Sequence, residues 1–161
     1  MTPTTDTQPA GSAELGIVGS RVFAAPRELV FEAFRNPDHL IHWWGPKGFS
    51  NTFHEFDLRP GGAWRLTMRG PDGADYEMEK YFAEVSPPER IVLDHLQPMH
   101  NFRMTMTFED TAGSTTLTWR MRFEQAAENE KLRSIISGAI EENFDRLEAY
   151  LGGLSSNNRN A

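Results

Sequence analysis

The 161-residue chain contains no cysteine. That excludes disulfides, thiol nucleophiles and thiolate metal sites, and it accords with a reducing compartment. Positive charge is also scarce. Sixteen Lys and Arg stand against 23 Asp and Glu, a formal net charge of −7. An acidic balance without runs of like charge argues against nucleic acid or an anionic membrane surface as partner. No apolar stretch approaches membrane-spanning length. The opening MTPTTDTQPAGSAELG has neither a basic start nor an apolar run, so it is not a signal peptide. A cytoplasmic location is expected. Also missing are a GxSxG nucleophile elbow, a glycine-rich phosphate loop ahead of a helix, and paired acids in an apolar setting. No internal repeat is found. No cofactor and no metal are expected.

What is present is apolar and patterned. Hydrophobic residues make up 39% of the chain and aromatic residues 11%, enough for one buried core. Residues 1–13 are rich in Thr, Pro, Gly and Ser and read as a flexible tail, as do residues 153–161; a single domain is expected over 14–152. Leu15–Ala25 reads as a first strand. PRELVFEAFR places Leu29, Val30, Ala33 and Phe34 on one helical stripe behind Pro26. Asn36-Pro37 then starts a second short helix, PDHLIHWW, which Gly45-Pro46 stops.

Six strand-like runs follow, separated by short turns that favour antiparallel hairpins. They are NTFHEFDLR, AWRLTMR, DYEMEKYFAEV, RIVLDHL (ending near Gln97-Pro98), FRMTMTFE and TTLTWRMRF. Three alternate cleanly. Trp64, Leu66 and Met68 oppose Arg65, Thr67 and Arg69. Phe102, Met104, Met106 and Phe108 oppose Arg103, Thr105, Thr107 and Glu109. Leu117, Trp119, Met121 and Phe123 oppose Thr116, Thr118, Arg120 and Arg122. Such a sheet is wet on one face and apolar on the other. A final helix over Ala127–Leu151 carries Leu132, Ile135, Ile136, Ala139, Ile140, Phe144, Leu147 and Leu151 on one stripe and ends at Gly152-Gly153. At roughly 37 Å it is long enough to cross the sheet. The fold class is α+β: a curved antiparallel sheet of about seven strands around a long C-terminal helix, with two short helices after the first strand. A space between sheet and helix is where function is expected.

This order, with RVFAAPRELVFEAFRNPDHLIHWWGPKGF, DLRPGGAWRLTM, EVSPPERIV and MTFED…STTLTWRMRF, resembles the START-like (SRPBCC) superfamily. Within it, the chain is similar to the bacterial branch related to the C-terminal domain of activators of the heat-shock-protein-90 ATPase. The resemblance covers about Leu15 to Leu151. It implies a helix-grip fold with a cavity that takes lipids, steroids, polyketides or other hydrophobic molecules; some relatives are aromatases or cyclases and others regulate chaperones. One local departure is Lys80, which stands where the family usually carries glycine after YxxE.

The expected function is binding of a small hydrophobic or aromatic molecule between sheet and helix. The inward candidates are Trp43, His54, Phe56, Trp64, Leu66, Met68, Met104, Met106, Trp119, Met121, Ile136, Ile140 and Phe144, most of them as core. Trp43 and Trp44 point about 100° apart on a helix, so one is expected under the long helix and the other at a cavity mouth or in solvent. HLIHWWGP then acts mainly as a plug. A homodimer is open if a solvent-facing tryptophan needs cover. His54 shares parity with Phe56 and Leu58, so it is expected inside the cavity as a polar group. His39 and His42 read as a solvated helix face rather than a metal site. Lys80 shares parity with Tyr76, Met78 and Phe82, but the inward faces of its strand and of His95's strand are not separable. If inward, Lys80 must snorkel out or pair with Glu55 or Glu79. The alternatives are a cyclase, dehydratase or hydrolase using His54, with His95 or Tyr76, as acid or base, and a chaperone-regulating interaction, which rests on the family resemblance.

Overall fold

The computed structural model describes residues 16–96, 101–123 and 130–160. The elements are β1 (Gly16–Phe23), α1 (Arg27–Arg35), α2 (Pro37–Trp43), β2 (Ser50–Phe56), β3 (Ala63–Arg69), β4 (Asp75–Ser86), β5 (Arg90–Leu96), β6 (Phe102–Thr111), β7 (Ser114–Phe123) and α3 (Glu130–Asn160). The strands form one antiparallel sheet in the order β1-β7-β6-β5-β4-β3-β2. The α+β helix-grip architecture is therefore present. The expected tail over 1–13, the turn at Gln97-Pro98 and the helix start over 127–129 lie outside the described residues.

Alternation builds the sheet as expected. Trp64, Leu66, Met68, Met104, Met106, Leu117, Trp119 and Met121 are buried on one face. Arg65, Arg69, Arg103 and Arg120 stand on the other. There Arg65, Arg69 and Arg103 pair with Glu55, Asp75 and Asp94 at the surface, where the contribution to stability is small. α3 lays Ile140, Phe144, Leu147 and Leu151 onto the apolar face. Ile135, expected on the same stripe, is 58% exposed. β1 passes so close to α3 that a Cβ at Gly19 would lie 2.6 Å from Ile140 Cγ2. α3 also runs through Gly152-Gly153 to Asn160, where a stop and a tail were expected. Neither glycine adopts a left-handed φ, and each costs only about 1 kcal/mol inside a helix.

The HWWGP segment is indeed a plug, but both tryptophans are buried, at 1% and 5% exposure. The expected outward ring fails because α2 ends at Trp43. Trp44 already has extended backbone, φ −68° and ψ 135°, so the helical offset no longer applies and its ring turns onto the sheet. With both rings covered within the chain, the reason offered for a homodimer disappears. Trp43 packs edge-on to Phe34 at 4.6 Å and donates its indole N–H to the Ala33 carbonyl at 3.1 Å. Buried Asn143 of α3 fastens the turn from the other side. Its Nδ2 donates to the Trp43 carbonyl at 2.9 Å and its Oδ1 accepts from the Gly45 N–H at 3.1 Å. Arg146 donates to the carbonyls of His42, Trp44, Gly45 and Pro46.

Candidate functional site

The strand registers place six inward side chains in one line across the sheet. Phe56 pairs with Trp64, Trp64 with Lys80, Lys80 with His95, His95 with Phe102 and Phe102 with Phe123. The line is aromatic apart from Lys80 and aromatic-polar at His95. Both are buried, at 4% and 3% exposure. The Lys80 ammonium nitrogen lies 2.9 Å from His95 Nδ1. It sits 5.8, 5.7 and 5.9 Å from the ring centres of Trp44, Trp64 and Phe102. His95 in turn stacks on Phe102 at 4.6 Å.

This is an unusual solution for a lysine. Among the described residues no carboxylate pairs with it. The expected partners are elsewhere: Glu55 and Glu79 both face Arg65 on the outer side. Neither does Lys80 snorkel out. Aromatic faces and one imidazole take the place of water, and each desolvated cation–π contact is worth up to about 2 kcal/mol. That does not restore the lost hydration, and burial pushes the Lys80 ammonium down from 10.5 to about 7. A buried titratable group with a strongly shifted pKa is a mark of functional sites.

Two further features lie on the same face of the sheet. The indole N–H groups of Trp64 and Trp119 are buried and donate to no protein atom among the described residues. Buried donors ordinarily have acceptors. Trp44 connects the two rings, at 4.9 Å from Trp64 and 5.4 Å from Trp119. Beyond His95, a cavity of about 350 Å³ is lined by Asp94, His95, Leu96, Asn101, Phe102, Arg103, Arg122 and Phe123. It combines aromatic walls with guanidinium, amide and imidazole groups. Smaller space, about 180 Å³, lies between Phe23–Ala25 and Glu148–Gly152.

The candidates read from sequence divide into three groups. Trp64 belongs to the line itself and half-buried Phe56 ends it, while Trp119 contributes an orphan donor nearby. Trp43, Leu66, Met68, Met104, Met106, Met121, Ile140 and Phe144 are buried in the core, with Ile136 half-buried at its edge. His54 is a correction. It lies on the outer face, exposed, with Nε2 2.7 Å from Thr67 Oγ1 and 4.0 Å from Glu77. A bulge between Phe53 and Glu55 adds one residue to β2. Phe53 and Phe56 therefore both face inward, and the period-two count from Phe56 back to His54 breaks. His39 and His42 instead pack on Tyr150 of α3, His39 Nδ1 lying 2.6 Å from its hydroxyl and His42 stacking on its ring. Among the described residues no group of three metal-binding side chains assembles.

Sequence reasoning missed Trp44, Phe102, Phe123 and the pairing of Lys80 with His95. The available signal was Lys80 itself, a charge at the parity of Tyr76, Met78 and Phe82. The pairing depends on a register that carries a second irregularity, between Phe82 and Glu84.

Residues 24–152 match the family described as activator of Hsp90 ATPase homolog 1-like protein. Among solved structures, a protein of Nitrosomonas europaea superposes with a TM-score of 0.80 at 22% identity, covering 89% of this chain and 98% of that one. A protein of Arthrobacter aurescens does so at 0.80 and 22%, covering 88% of each chain. The AHSA1 protein of Silicibacter pomeroyi gives 0.71 at 18% identity, with 85% and 97% covered. These likenesses establish the fold. No curated protein matches the chain.

Proposed function

The chain belongs to the activator of Hsp90 ATPase homolog 1-like family, and from that premise we propose that it binds a small aromatic molecule carrying a hydrogen-bond acceptor, its ring against Phe102 and Phe123 and its acceptor toward His95 and Lys80. The observation that carries this reading is the buried Lys80–His95 pair beside a 350 Å³ cavity with aromatic walls. A purely structural core has no need of it. An isolated lysine at this depth destabilises the fold, and apolar residues of similar volume would pack there without penalty. The cavity volume suits a molecule of one or two rings. The buried indole N–H of Trp64, whose ring borders Lys80, is a further donor for such an acceptor.

Tryptophan fluorescence tests the reading, because two of the four tryptophans, Trp44 and Trp64, border Lys80. Acetophenone, a ring with an acceptor, is expected to quench saturably, and toluene, a ring without one, to bind at least about tenfold more weakly. His54→Ala should leave this unchanged, since His54 lies on the opposite face. Equal response to both compounds, or none to either, would count against the proposal.

A further inference from the structure

We propose that Lys80 is a nucleophile that captures an aryl aldehyde or ketone as a protonated imine, with His95 relaying the proton. This rests on the binding reading above and names the reactive class within it.

The geometry has three parts. The first is the nucleophile. Lys80 Nζ is buried among Trp44, Trp64 and Phe102, with no carboxylate among the described residues to hold it as an ammonium ion. Desolvation of a lysine in an apolar pocket is a recognised route to an amine that attacks carbonyl carbon. The second is a proton carrier in contact. His95 Nδ1 is 2.9 Å from Nζ, within direct transfer distance. The third is access. His95 and Phe102 line the cavity and both border Nζ, so a single layer of side chain separates the cavity from the amine. Phe102 is only half-buried and is the ring that must swing for a carbonyl to reach Nζ. The low proton affinity of Lys80 near neutrality agrees with this arrangement.

The step balances without an external reagent. His95 accepts one proton from the ammonium. The amine lone pair forms the C–N bond while the carbonyl π pair moves to oxygen. His95 returns its proton to that oxygen, giving a carbinolamine that is protonated on nitrogen and carries two hydrogens there. His95 then takes one of the two nitrogen protons and delivers it to the hydroxyl, which departs as water while nitrogen keeps its last hydrogen. The nitrogen lone pair then forms C=N and leaves a protonated imine plus water. An ammonium and a carbonyl thus become an iminium and water, with one positive charge on each side and no change of redox state.

The test is reductive trapping. Full-length protein is incubated with benzaldehyde and sodium cyanoborohydride near pH 7 and mapped by peptide mass spectrometry. The chain has three lysines, Lys47, Lys80 and Lys131, so the adduct is easily assigned. The expected result is one benzyl group on Lys80, at least about tenfold above Lys47 or Lys131, because an ordinary lysine is almost wholly protonated at that pH. Lys80→Arg and Lys80→Met should lose the adduct, His95→Gln should slow its formation, and Phe102→Ala should speed it. Saturable fluorescence quenching by benzaldehyde without a Lys80 adduct would overturn the imine and leave the binding reading standing. Neither quenching nor adduct would overturn both. Labelling spread evenly over the three lysines would overturn the nucleophile assignment.

Discussion

Lys80 is the residue on which this account turns, and its cost is measurable. Its ammonium is held down from 10.5 to about 7 by burial. Between those two values the unfolded chain keeps a proton that the folded chain has released. Wild-type stability therefore rises with pH across that window and is independent of this group below it. Lys80→Met removes the penalty. It is expected to stabilise the protein by roughly 1–4 kcal/mol at pH 6. The advantage should shrink steadily as pH rises from about 7 toward 10.5, as urea denaturation at stepped pH would show. A constant difference between the two proteins would mean that Lys80 titrates normally. A destabilised Lys80→Met would mean that the aromatic cage and His95 repay burial in full. His54 makes the opposite case. It was the polar residue best placed by parity, and a single extra residue in β2 sends it to the outer face. Strand parity is reliable only between bulges, and nothing in SNTFHEF marks where one falls. Lys80 was visible as an anomaly. Its facing was not, because Tyr81 and Phe82 put aromatic rings on both parities of β4, and that of its partner His95 was hidden because β5 buries Ile91, Val92 and Leu93 in succession.

At the scale of elements, the α2–β2 connection depends on α3 more than on itself. Asn143 and Arg146 bind carbonyls and an N–H between His42 and Pro46, nearly a hundred residues away in sequence. Asn143→Ala leaves the Gly45 N–H and the Trp43 carbonyl buried without these partners. It is expected to cost about 3 kcal/mol, measured by chemical denaturation. Trp44 should also become more accessible, so that acrylamide quenching of tryptophan fluorescence increases. A loss below about 0.5 kcal/mol would show that the turn is held by ring packing alone. The elements themselves were legible from turn residues and from the alternation of β3, β6 and β7. Their attachment was not. The apolar stripe on α3 identified the face that covers the sheet, yet Asn143, the polar residue within that buried face, carries no sequence signal distinguishing it from a solvated asparagine.

At the scale of the molecule, the sheet is a platform whose inner face changes character along its length. One end is plain core, where Phe144 packs on Phe23 and Trp119. The other carries the Phe56–Trp64–Lys80–His95–Phe102–Phe123 line and the cavity beside it. Periodicity predicted a cavity between sheet and helix, but the described lining of the 350 Å³ cavity comes from β5, β6, β7 and Asn101 and includes no residue of α3. Periodicity did not predict which end would hold the polar pair, since that follows from registers summed over five hairpins. No helix among the described residues is long and apolar enough to cross a membrane.

The central claim is that an acceptor-bearing aromatic molecule is held beside His95, Lys80 and the unbonded indole of Trp64. The most direct measurement is a ¹⁵N–¹H NMR titration of the four tryptophan indole signals with acetophenone. The account predicts that the Trp64 signal moves downfield saturably as its N–H gains an acceptor. The Trp43 signal should stay in place, because that N–H is already bonded to the Ala33 carbonyl. No movement at Trp64, or movement confined to Trp43, would contradict it.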